Sequence, residues 1–294
     1  MHPARSLLLV PGNRQEPLDD ARARSSDAMI LDLAGTVPDS EKARARAMTV
    51  DRIARQPGKR WWVRVNPPGS DMLEDDLDAA IVAGNIEGIL LPQIRTADEV
   101  RRVEDMIAAA EAARGVPAGA TALILELDNA RAVFFAHELA AASRRIVSLC
   151  FNGSQHGDLA ADLGCEWSID GPELMYGRQH VLVASRAADM SCPLDGYFAN
   201  VEDMAGLTRD TEISRRLGYR GRIVIDPRQI EPVNRIYSPT HAEVEYHQRV
   251  LDTLDAAIAG GRASVTLDGK MIDYAHAETA RAVIAQAREL GVIP

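Results

Sequence analysis

The chain has 294 residues, 46% of them hydrophobic but only 4% aromatic, and a formal net charge of −10. That charge argues against binding to nucleic acid or to an anionic membrane, and an anionic substrate would need local arginines or a metal ion. Three cysteines, Cys150, Cys165 and Cys192, form no CxxC pair and are odd in number, so neither a disulfide framework nor a cysteine-type zinc site is indicated. The N-terminal apolar run is too short for a signal peptide, and no stretch approaches the roughly 18 apolar residues of a membrane span. A soluble protein of the reducing cytoplasm is expected.

Short aliphatic runs alternate with segments of helical period. In chain order the strand candidates are LLLV before Pro11-Gly12-Asn13, AMILDL with Asp32, WWVRVN with Arg64 and Asn66, and ILLPQ ending at Gln93. They continue with ALILELD carrying Glu126 and Asp128, IVSLCF at 146–151, DGYFA at 195–199, and RIVIDP ending its strand at Asp226. Helical periodicity falls between them, at about 39–56, 72–84, 97–114, 130–142, 171–189 and 201–217. Eight such units predict an α/β fold whose parallel sheet closes into a (β/α)8 TIM barrel. The GxGxxG turn of an open dinucleotide-binding sheet is missing after the first strand. Beyond Asp226-Pro227 come helical stretches at about 240–259 and 276–290, separated by Gly260-Gly261 and SVTLDGKMID. They read as a C-terminal helical lid or extension, giving a barrel domain over 1–235 and an extension over 236–294.

Barrel enzymes build their active sites at the C-terminal ends of the strands, where this chain places its polar residues. Glu126 and Asp128 are two apart on one strand and share a side, and Asp158 follows the next strand. Such carboxylates with water suit a hard cation such as Mg²⁺. The competing reading is that Asp128 and Asp158 cap the helices they precede. Arg64 shares a side with Trp62 and Asn66 and wants a carboxylate, from substrate or from Asp32 on the neighbouring strand. Asp32 is as well explained by holding Arg64 as by touching substrate. His156 lacks an obvious orienting carboxylate, and Ser154 in NGSQHG does not fit the G-x-S-x-G elbow, so a hydrolase triad is disfavoured. Arg14, in the turn after the first strand, is a candidate phosphate contact or an ordinary turn residue.

In order, RSLLLVPGN, VRVNPPG, GILLPQ, DLAADLG, IDPRQIEPVN and DGKMID resemble the motifs of the citrate lyase β-subunit-like group of the HpcH/HpaI aldolase superfamily. The resemblance implies a (β/α)8 barrel, a homotrimer or hexamer, Mg²⁺, and reversible cleavage of 3-hydroxyacyl-CoA esters into an acyl-CoA and an α-keto acid. It also implies that Arg64 binds substrate and offsets enolate charge, with Asn66, Arg14 and Asp32 on the substrate or cofactor side. Asp158 corresponds to the second metal ligand. Asp128 stands where the family has a glutamate as the first, with Glu126 as an alternative. Asp273 corresponds to the acidic residue that a neighbouring subunit's lid delivers for proton transfer.

Four elements depart from the family pattern. Its Leu-Glu-Asp is Leu33-Ala34-Gly35 here, the lysine of Leu-Pro-Lys is Gln93, Ile-His-Pro is Ile225-Asp226-Pro227, and the loop before Asp158 is rebuilt. Retention of Arg64, Asp158 and Asp273 together suggests altered substrate choice more than decay. Two alternatives stand beside it: a weakly catalytic ligand-binding homologue, and an aldolase acting on free hydroxy acids without CoA.

Overall fold

Eight parallel strands follow one another around a closed barrel: β1 (Ser6–Pro11), β2 (Ala28–Asp32), β3 (Trp61–Arg64), β4 (Ile86–Leu91), β5 (Ala122–Leu127), β6 (Ile146–Phe151), β7 (Leu194–Asp195) and β8 (Gly221–Val224). β8 pairs back onto β1, Leu7 opposite Ile223. The structure is a computed structural model that describes residues 4–16, 21–82 and 84–294.

The strands are near-continuous apolar runs because both faces are buried. One set of alternate side chains, including Leu7, Leu9, Ile30, Trp62, Leu90, Ile124, Cys150 and Ile223, packs together in the interior. The other set, among them Leu8, Leu31, Trp61, Val63, Ile89, Leu91, Leu125 and Leu149, is also buried, as expected beneath the helical layer. Trp62 needs the glycine on the neighbouring strand. A Cβ on Gly88 would lie 2.6 Å from the Trp62 ring and 2.2 Å from the Ala122 carbonyl oxygen.

Among the described residues the crossover helices of the barrel are α1 (Lys42–Arg55), α2 (Leu73–Val82), α3 (Ala97–Arg114), α4 (Ala130–Phe134), α5 (Ala136–Ala140), α6 (Asp158–Leu163), α7 (Pro172–Ala187) and α8 (Met204–Leu217), and α9 (Ile230–Tyr237) follows β8. α3 begins in a reciprocal capping box between Thr96 and Glu99 and ends at a left-handed Gly115, as its sequence signals require. The single helix expected over 130–142 is two short ones, because Phe135 leaves helical geometry at φ −97° and ψ 22°.

β7 also differs from expectation: it stops at Asp195 rather than running to 199. Asp195 turns its carboxylate to Arg178, which also donates to Asp210 at 2.9 Å, and Asp210 accepts from Arg222 at 2.8 Å. Gly196 then packs directly on the Asn152 backbone, where a Cβ would approach the Asn152 Cα to 2.8 Å.

The chain divides into two compact units, Met1–Asn234 and Arg235–Pro294. The second consists of α10 (His241–Ala259), an antiparallel hairpin of β9 (Val265–Leu267) and β10 (Lys270–Ile272), and α11 (Tyr274–Glu289). The hairpin turns on Asp268-Gly269, both at positive φ, the Asp-Gly pair that two-residue hairpins prefer. Val250, Leu254, Ile272, Ala277 and Ala280 form its core. Among the described residues no helix is long and apolar enough to cross a membrane.

Candidate active site at the barrel mouth

Strand alternation carries the interior face outward from Ile30, Trp62 and Ile124 to Asp32, Arg64 and Glu126, which therefore meet at the C-terminal mouth. Arg64 Nε donates to Glu126 Oε2 at 2.7 Å, and Nη1 lies 3.4 Å from Asp32 Oδ1. Glu126 Oε1 accepts from Asn152 Nδ2 at 2.8 Å. Each Glu126 oxygen thus accepts one hydrogen bond, and one of the two donors is Arg64. Burial opposes the charge of Arg64, but Glu126 and Asp32 more than offset it and raise the guanidinium pKa.

Asp32 is bound mainly by its own turn. Its Oδ1 accepts from the Ala34 amide at 2.9 Å, and Oδ2 from the Thr36 amide and hydroxyl at 2.9 and 2.6 Å.

Beside this row, Asp128 is 1% exposed just past the end of β5. Its Oδ2 accepts from the Gln93 amide at 3.1 Å and its Oδ1 from Asn129 Nδ2 at 3.2 Å. Gln93 Nε2 reaches Asp158 Oδ2 at 3.4 Å. One glutamine, held at φ 54°, therefore contacts both carboxylates proposed as metal ligands. Burial and the nearby charge of Glu126 push Asp128 up to about 6, against the opposing pull of Gln93, Asn129 and Arg64.

Asp128 and Asp158 line a mouth cavity of about 330 Å³ together with Pro67, Pro68, Gln93 and Arg95. Among the described residues no group of three carboxylate, histidine or cysteine side chains is placed to hold a metal. Two carboxylates are nevertheless a fitting donor set for Mg²⁺, which keeps several waters and takes one or two carboxylates plus substrate oxygens. The raised Asp128 is the kind of carboxylate a cation would relieve. As for capping, the N-cap of α4 is Asn129 and that of α6 is Gly157. Asp128 and Asp158 are not the N-cap residues.

The other expected residues divide. Asn66 is buried: its amide and Nδ2 both donate to Asp76, its Nδ2 also to the Leu33 carbonyl, and its Oδ1 accepts from Lys42. Its side chain organises the loops after β2 and β3. Arg14 is exposed in the turn after β1, where its amide donates to Pro11 and its carbonyl accepts from Arg52. Asp273 lies in the second unit as the N-cap of α11, 2.7 Å from His276 Nδ1. That hydrogen bond holds its carboxyl below the usual range. Asp226 caps the turn after β8 and pairs with Arg228.

Sequence reasoning missed Lys42, which ties the Leu33 and Ala34 carbonyls to Asn66, and Asn152. Lys42 gave no local signal, since its partners come from other elements. Asn152 sat in plain view at the end of an apolar strand.

Residues 5–227 match the HpcH/HpaI aldolase/citrate lyase family. The chain belongs to that family. It is 32% identical to the citrate lyase subunit beta of Leuconostoc mesenteroides subsp. cremoris over 92% of this chain and 88% of that one. It is 31% identical to a (3S)-malyl-CoA thioesterase of Cereibacter sphaeroides over 98% and 96% of the two chains. Among solved structures it resembles the protein CitE of Mycobacterium tuberculosis in complex with magnesium, acetoacetate and coenzyme A, with TM-score 0.75 and 26% identity over 98% of both chains. That correspondence runs beyond residue 227 into the C-terminal unit, whereas the family match ends with the barrel.

Proposed function

We propose that the protein is a Mg²⁺-dependent carbon–carbon lyase that cleaves or forms a 3-hydroxyacyl-CoA, or a related hydroxy acid, with an acyl-CoA and an α-keto acid as the other partners. Membership of the aldolase/citrate lyase family supports the lyase class. The observation that carries the finer reading is the buried Asp128, raised to about 6, facing Asp158 across Gln93 in an open cavity near Arg64.

Asp128 and Asp158 would hold the cation. When bound, it would supply Lewis-acid polarisation of the keto oxygen. Arg64 presents its guanidinium to the oxygen on which negative charge gathers as the carbon–carbon bond breaks. In the cleavage direction the hydroxyl proton passes to water as its carbon becomes the keto carbonyl, the carbon–carbon bonding pair passes to the acyl α-carbon, and that carbon takes a proton from Asp273, which regains one from water. Asp273, from the C-terminal unit of a second copy in a trimer or hexamer, is the proton carrier. Paired to His276 it is ionised near neutrality, which suits it to take the α-carbon proton in the condensation direction.

A second reading, a ligand-binding homologue with little turnover, is favoured by one observation: Glu126 already supplies a carboxylate to Arg64.

The test incubates the purified protein and Mg²⁺ with malyl-CoA and other 3-hydroxyacyl-CoA esters, separating acyl-CoA, free CoA and keto acid. Acyl-CoA and keto acid in equal amounts, lost with chelator and in Asp158→Ala, support the proposal. Free CoA with the intact hydroxy acid assigns thioester hydrolysis instead. Metal-dependent thermal stabilisation by keto acid without turnover assigns the binding homologue. Unchanged turnover in Asp158→Ala removes the metal role given to that residue.

A further inference from the structure

We propose that Glu126 is a positioning residue that fixes the Arg64 guanidinium so that its Nη1 faces a gap left by Gly35, and that a substrate oxyanion docks in this gap. The inference rests on the substrate role given to Arg64 above.

Three observations carry it. Glu126 is 1% exposed and bonded on both oxygens, at 2.7 Å to Arg64 Nε and 2.8 Å to Asn152 Nδ2. The row Asn152, Glu126, Arg64 and Asp32 thus links the ends of β6, β5, β3 and β2 across the mouth. A carboxylate held from one side by an amide has little freedom, and the hydrogen bond it accepts from Nε fixes the plane of the guanidinium.

The far side of Arg64 is loosely held. Asp32 is 3.4 Å from Nη1 and spends its oxygens mainly on Ala34 and Thr36, and Nη2 has no hydrogen-bond partner among the described residues. The side chain keeps 14% of its surface exposed.

Gly35 is exposed, and a Cβ built on it would lie 3.5 Å from Arg64 Nη1 and meet nothing else within 4 Å outside its chain neighbours. Its φ is not in the left-handed region, so the backbone does not demand glycine. The missing side chain leaves room, and the room opens to solvent beside a cation. An oxygen of the substrate that carries or develops negative charge, a carboxylate or the thioester oxygen, fits there. Position 35 then sets how large that group can be.

The test uses the full chain with Mn²⁺ as a spectroscopic stand-in for Mg²⁺. In Glu126→Gln the amide oxygen still accepts from Arg64 Nε, and Asn152, whose Oδ1 is buried and unpartnered, can flip to accept from the new amide. Glu126→Ala removes both contacts. For a positioning role, Glu126→Gln stays within about tenfold of wild type in kcat/KM and keto-acid affinity, while Glu126→Ala loses about 100-fold, the scale of a displacement of about 1 Å at a reacting group. Mn²⁺ affinity stays unchanged in both.

A parallel loss of Mn²⁺ affinity in the two variants overturns the proposal and makes Glu126 a metal ligand. Equal kcat/KM for Glu126→Ala and wild type also overturns it. Gly35→Asp, on the exposed turn, keeps the inference testable if Glu126→Ala fails to fold. It places a carboxylate on Nη1, raising KM or Kd for keto acid about tenfold or more with Mn²⁺ affinity retained, and an unaltered value refutes the gap. Should wild type show no turnover, keto-acid and Mn²⁺ titrations still decide the matter, so failure of the lyase reading and failure of this one are read separately.

Discussion

Asp128→Asn offers the sharpest check on the electrostatics of the mouth, because a single substitution should change sign in its effect on stability with pH. The folded protein raises this carboxyl from 3.8 to about 6, first through burial and then through Glu126. A raised acid binds its proton more tightly folded than unfolded, so stability is lost as pH climbs from the unfolded value through about 6 and is level above it. The full difference corresponds to about 3 kcal/mol at pH 7.5.

Asparagine never ionises and escapes that loss. Its single oxygen, however, can accept from only one of Gln93 and Asn129, which both donate to Asp128. The lost bond costs about 1 kcal/mol at every pH. The variant should therefore be about 2 kcal/mol more stable than wild type at pH 7.5 and about 0.5 kcal/mol less stable at pH 4, where wild type has already lost part of its proton-linked stability. For a chain of 294 residues the gain is a Tm rise of about 3 °C.

Thermal melts of metal-free protein at the two pH values decide the matter, with denaturant titrations supplying the free energies. A variant less stable than wild type by the same amount at both pH values refutes the reasoning, because the folded state would then place no special cost on the Asp128 charge. Saturating Mg²⁺ should raise the Tm of wild type at pH 7.5 and leave that of the variant nearly unmoved.

Three further outcomes follow from other parts of the fold. Gly88→Ala forces a methyl against the Trp62 ring and the Ala122 carbonyl and should cost about 1–3 kcal/mol or more in denaturant titrations; a neutral result would mean β4 shifts freely. Asp210→Ala takes away the carboxylate shared by Arg178 and Arg222 and should destabilise the barrel by about 3–5 kcal/mol, measured the same way. Asp273→Asn should lower turnover at least about 100-fold while Mn²⁺ affinity and Tm stay near wild type, since the side chain lies on the surface of its unit and an amide oxygen still caps α11.

Much of the mouth was legible because strand alternation is a rigid rule. Arg64 beside Asp32 follows from adjacent strands with side chains on one face, and their register, Asp32 opposite Arg64, is the observed one. Glu126 was placed on that face correctly, yet its partner was not predictable. Whether a carboxylate meets a metal or an arginine depends on where β3 and β5 converge across the barrel, which no local pattern encodes. Asn66 shows the same limit: alternation puts it near Arg64, but Asp76 and Lys42, from two crossover helices, take up its polar atoms.

Periodicity, capping signals and the order of polar strand ends fixed the class of fold, the number and order of the strands and the placing of Asp32, Arg64 and Glu126 on one face, because each rests on interactions within a few residues or on the two-residue repeat of a strand. Tertiary structure alone decided the pairings: Glu126 on Arg64, Gln93 between Asp128 and Asp158, and the open space at Gly35. Those depend on distances between strands far apart in the chain, and on burial, which sets the charge of Asp128 and appears only when the barrel closes.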